Sequence, residues 1–209
     1  MVSAASFLTT VIIGRFTQPN ELGLYSIGLT VIASCLCIQD ALISTPYTVQ
    51  RHHSSGTSAE RAGVSLAQSA ALSAMTGVIL AIAACGLAAA SAESDRVSLS
   101  WELAGITPFL IMREFARRYA FAHLRVAQAL ILDTAGAVFQ LAALVWLGWS
   151  GQMSALSACA ALGVSGGLTG LAWLYLASAN FTICADQILP VMKHSWALGK
   201  WLFASQLVV

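Results

Sequence analysis

Ionised side chains are scarce in this chain. Ten Lys and Arg and nine Asp and Glu make up 9 % of its 209 residues, against about 25 % in an average soluble domain. A water-soluble fold of this length cannot cover its surface with so few charges, so the solvent is lipid. No cationic stretch precedes the first apolar run, and no cleavable signal peptide is expected. No HExxH, GxGxxG, Walker or Ser/His/Asp arrangement occurs, and His52, His53, His123 and His194 form no catalytic set. That leaves no ATP-hydrolysing module. An enzyme is the least favoured class, because no large polar loop exists to hold a catalytic site. Cys35-x-Cys37 has neither the spacing of a redox pair nor partners for zinc. With Cys85, Cys159 and Cys184 it reads as soft packing material. No cofactor, metal or nucleic-acid partner is expected.

What is present is hydrophobic: 58 % of residues, with a mean hydropathy of +0.78. A spanning helix needs about 20 mostly apolar residues. The apolar runs are Met1–Phe16, Leu22–Thr48, Ala62–Ala92, Trp101–Met112, Leu124–Trp149 and Met153–Ala179, and another opens at Ser195. The fold expected is all-α: a polytopic transmembrane helix bundle of about six spanning helices plus the start of a seventh. Residues 1–179 form the six-helix lobe, and residues 180–209 a cytoplasmic connector and the opening of the next helix. Asn20 is the expected N-cap of the second helix, and Pro46 a kink or stop near its end. Both ends of the chain fall within apolar helices, which points to roughly half of a larger protein or a truncated reading frame.

The basic residues fall on alternate sides of these runs. Arg51 and Arg61 occupy one polar break, Arg113, Arg117, Arg118 and Arg125 a second, and Lys193 and Lys200 a third. The intervening breaks hold only Arg15 and Arg96, beside Glu21 and beside Glu93, Asp95 and Glu102. This is the positive-inside pattern, and it turns the three basic breaks toward the cytoplasm. Trp101, Trp146 and Trp149 then lie at outer helix ends, and Trp173, Tyr175, Trp196 and Trp201 near the inner boundary, where amphipathic rings are enriched. Arg15, on the disfavoured side, is expected to snorkel or to pair with Glu21.

Few polar residues interrupt the runs. Asp133 lies about 14 Å into the fifth, near mid-membrane. A central Asp costs on the order of 2.5–3.5 kcal/mol on insertion, so it turns to a bundle interior or a wet cavity. Gly136 and Gln140 share its face. The stripe is either cavity lining, with Asp133 as a substrate, ion or proton contact, or a helix-to-helix hydrogen bond. Asp40, toward the cytoplasmic end of the second run, can be neutralised by a cytoplasmic arginine or meet headgroup water. On a helix Arg113 and Arg117 are i,i+4 neighbours, and Glu114 reaches Arg118. The arginines are either a clamp for a pyrophosphate headgroup or a topological anchor attracted to anionic lipid. Gly163-xxx-Gly167 and Gly166-xxx-Gly170 allow close helix approach, within the chain in preference to a dimer.

Several stretches have a familiar look. Gly14 to Tyr25, GRFTQPNELGLY, resembles the turn between the first two helices of polysaccharide exporters in the MATE/MOP flippase superfamily, with Gln18 where the family usually has Gly. Arg113 to Asp133, REFARRYAFAHLRVAQALILD, is similar to the fourth-to-fifth helix passage of bacterial lipopolysaccharide and O-antigen flippase-like proteins. Trp196 to Trp201 resembles the entry to their seventh helix. The resemblance implies the N-terminal lobe of a two-lobed protein in the bacterial cytoplasmic (inner) membrane, with a C-terminal lobe or second copy as partner. It further implies transport of a lipid-linked oligosaccharide by alternating access. A cation-coupled drug exporter using Asp40 and Asp133 is the alternative within the superfamily. A scaffold or inactive fragment is the alternative outside it. The orientation predicts that cysteines placed at His53 and Arg117 stay unlabelled when intact cells meet a membrane-impermeant thiol reagent; labelling there reverses the topology.

Overall fold

The computed structural model describes residues 2–50 and 58–182. Every regular element among them is helical. Helix α1 (Val2–Phe16) leads through a short turn into α2 (Pro19–Gln39). Pro19 takes the first helical position, where its missing N–H is not needed. Gln18 is therefore the N-cap, in place of the expected Asn20. A π-helical turn, Asp40–Ser44, follows, and α3 (Thr45–Gln50) continues the run. Pro46 does not stop this helix. In a regular helix its ring collides with the carbonyl four residues back. The chain widens just ahead of it, with Thr45 N–H bonded to the carbonyl of Asp40.

The remaining helices are α4 (Ser58–Ala89), α5 (Ser94–Ala122), α6 (Val126–Trp149) and α7 (Ala155–Ala177). Four apolar stretches are long enough to cross a membrane: Pro19–Thr48, Ala59–Ala89, Val126–Trp149 and Ala155–Ala177. They mark a membrane protein. Helix α1 is shorter, and α5 carries Glu102, Arg113, Glu114, Arg117 and Arg118 along its length. The seventh-helix opening, residues 51–57 and the basic Arg51, Lys193 and Lys200 lie outside the described residues.

The most polar helix sits at the centre. Helix α5 packs against α2, α4, α6 and α7, and Leu103, Ile111, Phe115 and Ala116 are buried along it. The apolar helices surround it and turn Ile82, Ile131, Val164 and Leu168 outward. That is the reverse of a water-soluble bundle and suits lipid. The core at one end joins Ile13, Tyr25, Ile32, Leu99, Leu103, Leu144 and Cys159. Cys159 is buried as packing, whereas Cys37 and Cys85 lie exposed on helix faces.

Three helices end alike. Ala92, Arg125 and Gln152 donate backbone N–H groups to the carbonyls of Leu87, Ala120 and Leu147, five residues back. The residue before each has positive φ: Ser91 (53°), Leu124 (56°) and Gly151 (69°). These are Schellman closures. They reverse the chain within a few residues and hold α4–α7 as antiparallel neighbours. Helix α7 opens on a Ser154–Ser157 capping box, and Glu21 Oε2 accepts the Ala155 N–H at 2.6 Å. Glu21 thus binds a helix N-terminus, where negative charge is favoured, and not Arg15, which is exposed.

All four glycines of the overlapping GxxxG pairs face α5. A Cβ on Gly163 would land on Ile106, on Gly166 at 2.5 Å from Leu110, on Gly167 at 3.4 Å from Phe109, and on Gly170 at 3.0 Å from the Arg113 backbone. The close approach is intramolecular, as the sequence favoured. Gly163→Ala is expected to lower stability by about 1–3 kcal/mol through overpacking. Gly105→Ala, with nothing within 4 Å of its Cβ, leaves it unchanged or raises it; thermal unfolding in detergent reads both.

Candidate functional site

The last turns of α5 are not the polar break that the basic sequence implied. Arg113, Arg117 and Arg118 belong to one continuous helix and point into the bundle, because carboxylates from three directions receive them. Arg118 Nη2 lies 3.2 Å from Asp40 Oδ2, in the π-helical turn. Glu114 Oε1 accepts from Arg117 Nη2 at 2.6 Å and Arg118 Nε at 2.9 Å, and Oε2 accepts from Arg117 Nε at 2.9 Å. Arg113 Nη2 donates to Asp133 Oδ1 of α6 at 3.4 Å, and Arg117 Nη1 stands 4.0 Å from Asp133 Oδ2. Three guanidiniums and three carboxylates thus form one chain of contacts across the π turn, α5 and α6.

The contacts differ in strength. Charge-assisted N–H···O bonds run at about 2.7–2.9 Å. Those of Glu114 fall in that range or shorter; those of Asp133 are longer. Glu114 fixes the arginine pair within α5, while Asp133 is a loosely held counterion. The side chains of Arg113 and Arg117 remain 25 % and 26 % exposed, enough for another anion to approach.

Glycines shape the seat of Arg113. A Cβ on Gly136 would stand 2.9 Å from Arg113 Nη2, one on Gly166 3.5 Å from its Cδ, and one on Gly170 3.0 Å from its Cα. Arg113 therefore lies in a slot walled by small residues of α6 and α7. The sequence placed Gly136 beside Asp133 without anticipating that its missing side chain makes room for the arginine.

The Asp133 stripe divides. Because α6 begins at Val126, after the turn at Leu124 and Arg125, Asp133 lies about 10 Å along it. That is short of the helix midpoint, on its basic side. Gln140 does not join the cluster; its Nε2 donates to Thr9 Oγ1 of α1 at 3.2 Å. Asp40 meets the arginine expected of it.

Two further features went unread. Gln39 is fully buried, donating from Nε2 to Ser69 Oγ at 3.0 Å and to the Ile111 carbonyl at 2.8 Å. It ties α2 to α4 and α5 one residue before the π turn. At the basic end, Tyr119 packs its ring against those of His123 (4.2 Å between centroids), Phe181 (5.1 Å) and Trp173 (5.4 Å). Tyr47 OH and His123 Nε2 are hydrogen-bonded at 2.9 Å. His123 is not isolated, and the i,i+4 spacing of Phe115, Tyr119 and His123 was the available signal.

No protein-family model, curated protein or solved structure matches the chain. The cluster's chemistry follows from its own geometry. It can accept another anion at Arg113 and Arg117 in place of Asp133, whose released carboxylate must then reach water. Asp133→Asn removes a counterion from a partly buried pair, and a cost of about 3 kcal/mol is expected, the lower end of the range for breaking a buried pair. Adding Arg113→Gln is expected to recover about 1–3 kcal/mol of that loss. Detergent unfolding of the two single variants and the double variant measures the coupling, and strict additivity dismisses the pair.

Proposed function

We propose that the chain is one lobe of a membrane transporter, a flippase that moves a polyprenyl-linked oligosaccharide across the bacterial cytoplasmic membrane in cell-surface polysaccharide synthesis. On this reading about six helices span the bilayer, with α1 and the charged α5 completing the four apolar spans. The basic end faces the cytoplasm, where the substrate's pyrophosphate is presented. A second lobe, or a second copy, supplies the other wall of the cavity.

One observation carries the proposal: the long, partly exposed contacts of Arg113 and Arg117 with Asp133. Arginine forks match phosphate oxygens in two-pronged geometry. A pyrophosphate offers more negative charge than one carboxylate and displaces Asp133 from both guanidiniums. Helix α6 then loses its ionic tie to α5, while Glu114 keeps Arg117 and Arg118 in position. The ligand binds the released state better than the closed one, and such differential affinity is what can shift a conformational equilibrium. Asp40 and Asp133, the carboxylates a cation-coupled exporter would load, each stand within 4.0 Å of a guanidinium, so the anion-exchange reading is favoured.

Disrupting the complete gene is expected to abolish surface polysaccharide and to accumulate lipid-linked oligosaccharide on the inner leaflet. A copy carrying Arg113→Gln and Arg117→Gln restores neither. Normal surface polysaccharide in the disrupted strain, assayed by extraction and gel separation, rejects the proposal.

A further inference from the structure

A groove of about 580 Å³ runs between α6 and α7 on a face separate from the charge cluster. Its volume lies within the ~300–1,000 Å³ range of small-molecule sites. Its walls are apolar: Leu132 and Phe139 from α6, Leu168 and Trp173 from α7. Its rim at the basic end holds Gln128 and Arg125. No carboxylate lines it, and Arg125 is absent from the ion pairs formed among the described residues.

We infer that this groove holds an acyl chain of an anionic phospholipid from the leaflet at the basic end, with the lipid phosphate on Arg125. Three observations converge. From Arg125 to Phe139 the groove follows α6 for about 21 Å at 1.5 Å per residue. That exceeds the ~15 Å half-thickness of the hydrocarbon core, so one chain of one leaflet fits with its headgroup at the rim. A polyprenyl tail far outruns it. The only charged lining residue is a cation at the mouth, where a phosphate group would lie. Leu124, in its left-handed conformation, turns the backbone between α5 and α6 there and leaves Arg125 exposed. The inference rests on placement in a membrane and not on what is transported, so its failure leaves the flippase reading standing.

The test uses the full chain in phosphatidylcholine vesicles, with a minor fraction of brominated phosphatidylglycerol or brominated phosphatidylcholine. Quenching at Trp173 is read as the difference between the unaltered chain and Trp173→Phe. Brominated phosphatidylglycerol is expected to associate about fivefold more strongly, equivalent to ~1 kcal/mol for one arginine near an anionic surface. Arg125→Gln brings the ratio to one, and Arg125→Lys retains part of it. Ala172→Phe, which fills the groove, removes Trp173 quenching by both lipids. A ratio of one in the unaltered chain overturns the assignment, as does a fivefold ratio that survives Arg125→Gln, or quenching unaffected by Ala172→Phe. Displacement of the brominated lipid by equimolar polyprenyl phosphate also overturns it, and gives the groove to that lipid.

Discussion

Mutual neutralisation of charge inside the bundle is the constraint on which this structure depends. Helix α5 brings three partly buried guanidiniums to the bundle, and leaving such a group without a counterion is costly. Asp40, Glu114 and Asp133 answer them from the π turn after α2, from α5 and from α6. The remaining packing serves that arrangement. Glycines of α7 bring the α5 backbone close, Gly136 opens room for Arg113, and the π turn ahead of Pro46 contains Asp40 opposite Arg118. Remove the carboxylates and the most polar helix has no reason to be central.

The cluster is also graded. Glu114 is on the same helix as the arginines and holds them tightly at short distance. Asp133 is on another helix and holds them loosely. A cluster built this way keeps its cations aimed while one partner is exchanged. The aromatic packing of Tyr47, Tyr119, His123, Trp173 and Phe181 lies at the basic end of the bundle. Two further polar contacts, buried for Gln39 with Ser69 and partly buried for Gln140 with Thr9, fasten α2 to α4 and α1 to α6.

The helical class, four of the expected apolar spans and the inward face of the glycine stripe were legible, because each depends on periodicity and composition within one segment. Asp40 and Asp133 were legible as charges out of place in apolar runs, and the arginines as a helical cluster with Glu114. Their pairing across helices was only partly so, since which faces meet depends on crossing geometry. The sequence also read the end of α5 as a break between spans. Local charge density looks like a loop when the partners that neutralise it lie far off in the chain, as Asp40 and Asp133 do. Pro46 was legible as a disruption but not as a stop: a proline marks a clash in a regular helix, and not whether the chain ends or changes pitch. Residues whose role is to leave space, such as Gly136, carry no signal until the neighbour that fills the space is known.

The distribution of partners along the chain bears on biogenesis. As the nascent polypeptide emerges, Asp40 is already in place for Arg118, whereas Arg113 precedes Asp133 by 20 residues. Helix α5 is therefore a poor stop for the insertion machinery on its own. On the proposed reading, in which α5 spans the bilayer, it becomes a stable occupant once α6 follows, and the two would enter as a hairpin whose second limb completes the first.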